Sequence, residues 1–234
     1  MSARPTSRVP LRRAGVGLAG LALLATGALS GCGVAADGTT PQPGVGAQVG
    51  DATISFDTVS RDAEATCDLL QAHPELTQSP VTRAQANDLV VRQLVYSTFA
   101  DELAQQADLD TAPLREQARQ QARSNLSLGS DDEKAIDVVA AYPFFVLVMK
   151  KLVEPTLSAD QLADTDQAYA DYLQQWSTKH PIVVNPRFAG FTTQQGGSVS
   201  QELSVPVSST AVAASRTPIS ASDYAALPAS QKCS

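Results

Sequence analysis

Residues 136–153 form the segment that most restricts the possible fold, because apolar side chains fall on nearly all sides of any helix that they could form. A helix without a polar face has to be surrounded by protein or by a ligand. We therefore predict a mainly α-helical domain in which this helix, the fourth, is central. Pro143 removes one backbone donor and clashes with the preceding turn, which predicts a kink or break between Val139 and Pro143.

Three helices are predicted before this segment. Apolar residues spaced three and four apart indicate helices over residues 57–72 and 82–107, and the second of these contains neither Gly nor Pro. Thr111, with Pro113 in the first turn, opens a third helix. The spacing therefore places a bundle of helices around the apolar segment.

Two capping boxes mark the later helix starts. Ser130 is followed three residues on by Glu133, which predicts the start of the apolar helix. Ser158 and Gln161 repeat the pattern and predict a fifth helix that extends to Lys179. The domain is thus expected to contain about five helices.

Strand patterns occur at both ends of the helical region. Residues 52–56 alternate between apolar and polar side chains, as a half-buried strand does. After the last helix, residues 182–184, 187–193 and 199–207 are strand candidates, with Gln-Gln-Gly-Gly at 194–197 as a hairpin turn. These patterns predict a small β element made of an N-terminal strand and a C-terminal hairpin.

The N-terminus has the order of parts of an export signal. Four arginines precede an apolar stretch at residues 14–29, and Leu-Ser-Gly-Cys follows at residues 29–32. The apolar stretch is shorter than the roughly 20 residues that a membrane-spanning helix needs. The final four residues resemble the lipobox of bacterial lipoproteins, in which cleavage precedes a cysteine that carries acyl chains. We predict a signal peptide at residues 1–31 and lipid attachment at Cys32, with an ordinary secretory signal as the alternative.

The residues after Cys32 predict a tether. Residues 33–50 are rich in Gly, Pro and Thr and have no apolar period, which is typical of a flexible linker. We divide the chain into the lipidated cysteine and linker at residues 32–49 and one folded domain at residues 50–234. Several acyl chains on one residue give stable anchoring. The expected location is the cell membrane, on its extracytoplasmic face.

The charge of the chain argues against binding nucleic acid. The net charge is −7, and removal of the four signal-peptide arginines would change it to about −11. Nucleic-acid binding needs clustered cations that face phosphates. We therefore expect no nucleic-acid partner, and the acidic body gives no basic patch to assist the lipid anchor.

The three cysteines are assigned two different roles. With Cys32 assigned to lipid, Cys67 and Cys233 remain. Two leftover thiols in an oxidising compartment favour a disulfide, although two free buried thiols are the alternative. A bond between them would fix a polar C-terminal tail that otherwise frays.

The residues that usually carry catalysis or bind metals are sparse. His73 and His180 are the only histidines, and each precedes a proline without other ligands at metal-binding spacing. Neither a Gly-x-Ser-x-Gly motif nor a phosphate-binding loop is present. Asp160, Asp164 and Asp166 lack the Gly and the final Glu of a calcium loop, which favours a solvated helix face. We expect no enzymatic activity, no metal, no cofactor and no small-molecule substrate.

The apolar helix allows two interpretations. It is either the central core helix of the bundle or a helix with one side that lines a groove for apolar segments of other proteins. Phe144, Phe145 and Met149 would line such a groove. Aromatic rings and a polarizable Met repack around varied side chains, as promiscuous binding requires.

The order of the elements resembles the N-terminal chaperone domain of SurA-type periplasmic foldases. The resemblance covers residues 49–153: the strand-like 49–55, a long helix with Arg-Gln-Leu-Val at 92–95 and residues 104–109, and the helix opened by Thr111. Residues 182–188 are similar to the family's C-terminal return segment. The resemblance implies a peptide-binding helical body whose return strands pair with residues 53–56.

One departure from the family is informative. SurA-type foldases usually carry a parvulin prolyl isomerase domain before the return segment, but residues 155–181 offer only one helix. Isomerase activity is therefore not expected. The resemblance implies a lipid-anchored chaperone that binds unfolded or exported polypeptides. The alternative is an adaptor lipoprotein that grips one dedicated envelope partner.

Overall fold

A computed structural model describes residues 43–129, 132–188, 190–191, 198–199 and 218–233 of the chain. The predicted signal peptide, Cys32 and most of the predicted tether lie outside these residues. So do Ser130, the hairpin turn at 194–197 and most of the strand candidate at 199–207. The structural statements that follow concern the described residues.

The described part of the chain is mainly α-helical, as predicted. Its seven helices are α1 (Phe56–Ala72), α2 (Arg83–Gln106), α3 (Ala112–Leu126), α4 (Glu133–Leu152), α5 (Ala159–Leu162), α6 (Thr165–Ser177) and α7 (Ala221–Ala226). Side-chain caps explain several starts. Thr82 and Gln85 form a capping box at α2, and Ser158 and Gln161 form the predicted one at α5.

The single helix predicted from Ser158 to Lys179 is wrong, because the structure has two. Asp164 separates α5 from α6: it lies outside the helical region at φ −137°, and its side chain accepts a hydrogen bond from the Gln167 backbone N–H. Leu162, which we expected on the buried face, is 47% exposed in the short α5. A local cap therefore overrides the apolar spacing that runs across it.

Helix α4 is continuous through Pro143, so the predicted break is not observed. Ile136, Phe144, Val148 and Met149 are all less than 2% exposed. The helix packs against α1, α2 and α3, and contacts on several sides hold a helix together despite one missing backbone hydrogen bond. The interpretation of α4 as a central core helix is confirmed.

A three-stranded antiparallel sheet contains β1 (Val45–Val49), β2 (Ala52–Ser55) and β3 (Ile182–Val184) in the order β2–β1–β3. We predicted that the return segment pairs with residues 53–56, and this is wrong, because β1 lies between β2 and β3. The tether boundary at residues 32–49 is also wrong, because β1 lies within it. Ala47 and Val49 are fully buried.

Gly46 explains how a glycine-rich stretch becomes the middle strand. A Cβ at this position would lie 3.1 Å from Val59 Cγ2 and 3.3 Å from the Ile54 carbonyl oxygen. Any side chain here would force Val59 or the β2 backbone to shift, so glycine favours the close approach of β1 to α1 and β2. Gly50, at φ +56°, then makes the tight turn into β2.

The return segment continues as a short antiparallel pair, β4 (Gly190–Phe191) and β5 (Ser198–Val199). The paired residues agree with the predicted hairpin. The C-terminal residues 218–233, for which we recognised no period, contain α7 and two buried anchors, Ile219 and Leu227. They pack near the start of α2, where Thr82 forms an isolated bridge with Lys232.

Cys67 and Cys233 lie at disulfide-bonding distance, with sulfur atoms 1.96 Å and Cα atoms 4.9 Å apart. Both are buried, at 2% and 8% exposure. Cys67 lies in α1 and Cys233 beside the start of α2, where its N–H donates to the Val81 carbonyl. The C-terminal tail is therefore fixed to the helical body at its last described residue.

Replacing Cys67 and Cys233 together with Ser is expected to lower the free energy of unfolding by about 2–5 kcal/mol, because the bond closes a long loop in the unfolded chain. Urea unfolding of the purified chain measures the change. Reductant should destabilise the wild type by a similar amount and leave the double variant unaffected. Identical unfolding midpoints for the wild type with and without reductant would contradict the prediction.

Candidate functional site

A pocket of about 310 Å³ opens between α2, α4 and α6. Four aromatic side chains, one carboxylate and two aliphatic side chains line it: Tyr96, Tyr142, Phe145, Tyr169, Asp166, Ala170 and Leu173. Protein ligand sites range from roughly 300 to 1,000 Å³. This pocket is at the small end of that range, where it holds one side chain or one small molecule.

Helical spacing brings the lining residues to one place. Tyr142 and Phe145 are three residues apart on α4, and Asp166, Tyr169 and Leu173 are three and four apart on α6. Residues at these spacings share one helix face. The pocket forms where these two faces meet Tyr96 of α2.

Phe145 is at the centre of the aromatic cluster. Its ring centroid lies 4.9 Å from that of Tyr96, 5.8 Å from Tyr142 and 6.1 Å from Tyr169. Such distances are those of favourable aromatic pairs. Phe145, Tyr169 and Tyr96 are 3%, 4% and 8% exposed, whereas Tyr142 is 40% exposed. Three rings therefore form buried walls, and Tyr142 forms an accessible rim.

The three phenol groups are neutral at physiological pH. Burial raises the pKa of Tyr169, and the hydrogen bond that its hydroxyl donates to Glu154 Oε1, at 2.5 Å, raises that pKa further. Burial also raises the pKa of Tyr96 and of Tyr142. The negative charge of Asp166 adds to the pKa increase at Tyr142. Asp166 is therefore the one charged group that lines the pocket.

The predicted groove of Phe144, Phe145 and Met149 is not observed. Phe144 is 1% exposed and Met149 is fully buried. The Arg115 guanidinium of α3 lies 4.1 Å from the Phe144 ring centroid. Consecutive helical residues point about 100° apart, so Phe144 and Phe145 have different neighbours. Of the three predicted residues, only Phe145 lines the pocket.

Sequence reasoning missed Tyr96, Tyr142 and Tyr169 as site residues and assigned Asp166 to a solvated helix face. Asp166 is indeed exposed, but it lies at the edge of the pocket. A compositional hint existed: the whole chain has only five tyrosines, and three of them line this one pocket. Which helix faces meet, however, depends on packing that spacing does not reveal.

A second polar cluster joins α1 to α4. His73 Nε2 lies 3.0 and 3.1 Å from the two Asp132 carboxylate oxygens, and His73 Nδ1 lies 3.2 Å from Glu75 Oε1. Asp132 also accepts a hydrogen bond from the Gly129 backbone N–H. His73 immediately follows α1, and Asp132 immediately precedes α4. The cluster therefore links the C-terminal end of α1 to the N-terminal end of α4.

The described residues show neither a metal site nor a membrane-spanning helix. Within the described residues, no group of three or more His, Cys, Asp or Glu side chains could hold a metal ion. In the same part of the chain, no helix is both long and apolar enough to cross a membrane. Comparison with protein-family models, with curated proteins and with solved structures found no match for this chain. Function is therefore inferred from the pocket.

The contacts of His73 with Glu75 and Asp132 predict that the stability of the fold depends on pH. The hydrogen bond with Glu75, and then the one with Asp132, raise the pKa of His73 above 6.5. Protonated His73 therefore stabilises the fold fully below the unfolded pKa, and this contribution disappears as the pH rises through the folded pKa. As the pH rises from the unfolded to the folded pKa of His73, the difference in unfolding free energy between wild type and His73→Gln should therefore shrink. Urea unfolding at a series of pH values measures this difference.

An NMR titration of the His73 ring gives an independent measurement. Its pKa should lie above 6.5 in the wild type and decrease towards 6.5 in Glu75→Gln and Asp132→Asn. A wild-type His73 pKa at or below 6.5 would contradict the assigned contacts.

Proposed function

We propose that this protein is a lipid-anchored, extracytoplasmic, chaperone-like protein that binds unfolded or extended polypeptide segments without catalysis. The observation that carries the proposal is the aromatic pocket between α2, α4 and α6. In this proposal, one side chain of a client segment enters the pocket while the rest of the segment runs over the surrounding surface.

The exposure of Tyr142 supports a binding role. Phe144 and Phe145, which follow on the same helix, are 1% and 3% exposed, whereas Tyr142 is 40% exposed. Its ring packs edge-on against Tyr96 and tilted against Phe145, and it does not extend into solvent as an isolated side chain. Tyrosine is among the residue types that most often dominate the binding energy of interfaces.

The proposed location is supported by the cysteines. Cys67 and Cys233 at bonding distance fit an oxidising compartment outside the cytoplasm. This assignment leaves Cys32, within Leu-Ser-Gly-Cys at residues 29–32, as the thiol for lipid attachment. The resemblance to SurA-type foldases adds the expectation of a peptide-binding helical body without an isomerase domain.

The proposed mechanism is holding. A client side chain that docks among Tyr96, Phe145 and Tyr169 removes apolar surface from water, which favours binding. The acidic chain, at a net charge of about −11 without the predicted signal peptide, keeps the complex soluble by mutual repulsion. Binding and release then need no chemical step.

The small size of the pocket favours one alternative, an adaptor that grips a dedicated partner through a single anchor side chain. A photo-reactive amino acid at position 142, installed in living cells, separates the two functions. A chaperone should crosslink to many exported proteins, whereas an adaptor should crosslink to one. The same substitution at Leu89, an exposed residue of α2, is the matched control.

The holding activity is tested by aggregation of a denatured client, followed by light scattering. The wild type should slow aggregation, and Tyr142→Ala should bind the client about tenfold more weakly, because it removes the accessible wall of the pocket. Leu89→Ala, which removes an exposed apolar side chain outside the pocket, should behave as wild type. Charged substitutions at Phe144 or Phe145 are unsuitable, because both side chains are buried in the core.

Two results would contradict the proposal. One is no suppression of aggregation at several-fold excess of the wild-type protein. The other is equal suppression by wild type and Tyr142→Ala, which would place client binding elsewhere.

A further inference from the structure

The aromatic walls of the pocket are suited to a positive charge. The face of an aromatic ring carries negative electrostatic potential and attracts ammonium and guanidinium groups within about 6 Å. Tyr96, Tyr142, Phe145 and Tyr169 line the same small space, and their centroids lie within about that distance of Phe145. A cation that enters would therefore meet several ring surfaces at once.

The carboxylate at the pocket adds the matching charge. Asp166 lines the pocket and, within the described part of the chain, has neither an ion-pair partner nor a side-chain hydrogen bond. The nearby Glu154 is engaged by the Tyr169 hydroxyl. Asp166 is therefore the counter-charge that remains available to a ligand.

Among the described residues, no lysine or arginine side chain lines this pocket. The guanidinium groups of α3 are paired elsewhere: Arg115 with Asp101, Arg119 with Asp137 and Arg123 with Glu133. Arg92, one turn before Tyr96 on α2, acts on the pKa of Tyr96 and slightly opposes its increase, but it does not line the pocket.

Other side-chain classes fit less well. An acidic side chain would place its charge beside Asp166 and against the negative ring faces, and like charges repel. A purely aliphatic side chain would displace water from the Asp166 carboxylate without replacing the lost hydrogen bonds, which is costly. A guanidinium group both stacks on rings and donates to a carboxylate.

We propose that the pocket selects a cationic side chain, Arg before Lys, from the bound polypeptide. The inference rests on the proposed polypeptide-binding function and specifies its anchor residue. The cationic head packs among Tyr142, Tyr169 and Phe145 and donates hydrogen bonds to Asp166. The acidic net charge of the chain, about −11 without the predicted signal peptide, attracts basic segments to the surface before they dock.

Matched peptides test the selection. One extended, otherwise neutral peptide is made with Arg, Lys, citrulline, Leu or Glu at its central position, and binding to the full chain is measured by titration calorimetry. Citrulline keeps the shape of Arg without its charge. The Arg peptide should bind roughly 3- to 30-fold more tightly than the citrulline peptide. The Glu peptide should bind most weakly.

Two variants test whether Asp166 is responsible for the preference for Arg. Asp166→Asn should reduce the preference for Arg over citrulline and should leave binding of the Leu peptide unchanged. Asp108→Asn removes the same charge at an exposed position outside the pocket, where φ is +52° and Asn is well tolerated. This control should keep the full preference for Arg.

The outcomes separate the two proposals. Equal binding of all five peptides would overturn the cation selection and leave the polypeptide-binding function standing. If no peptide binds, that function fails, and tetramethylammonium chloride then probes the pocket alone. If this salt shifts the Tyr142 ring resonances in NMR spectra of the wild type and of Asp108→Asn, but not of Asp166→Asn, the pocket is still a cation site. Unchanged resonances would overturn it.

Discussion

Burial of α4 is the constraint on which the rest of the structure depends. The helix has apolar side chains in nearly every direction, so it is stable only where α1, α2 and α3 cover it. Each large side chain that it buries completely, such as Ile136 or Phe144, contributes roughly 1.5–3 kcal/mol. The polar start of the helix is fixed separately, by Asp132 with His73 and by Glu133 with Arg123.

The aromatic pocket follows from that arrangement. α4 presents Phe145 to Tyr96 and Tyr169, so the same ring stabilises the core and forms a wall of the pocket. Tyr142, one turn earlier, extends beyond the cover of the neighbouring helices. The candidate site is thus an edge of the core that α6 leaves accessible. Substitutions deep in its walls therefore change stability and binding together, whereas Tyr142 and Asp166 separate the two.

Helices were predictable from the sequence because their determinants are local. The stripe at Val91, Val95 and Phe99 lies within one element, and so does the capping box at Ser158. β1 was hidden because Gly46 removes the alternation that identifies a strand, and because one of its two partners is distant: Val183, opposite Gln48, is far along the chain. The pocket was hidden for a similar reason. Spacing places Tyr142 and Phe145 on one face, but only tertiary packing brings that face to Asp166 of α6.

The bond between Cys67 and Cys233 has a consequence for how the chain is connected. Together with the backbone, it closes a covalent ring that contains the last third of α1, all later helices and β3, while β1, β2 and the first two thirds of α1 lie on the open segment that enters it. A protease that cuts once anywhere inside the ring leaves a single connected molecule. Two cuts inside the ring free only the piece between them, whereas one cut before Cys67 separates the N-terminal segment from the whole ring. Proteolytic separation of the N-terminal segment from the disulfide-closed body therefore depends on cleavage before Cys67, in a segment that includes β1, β2 and the first two thirds of α1.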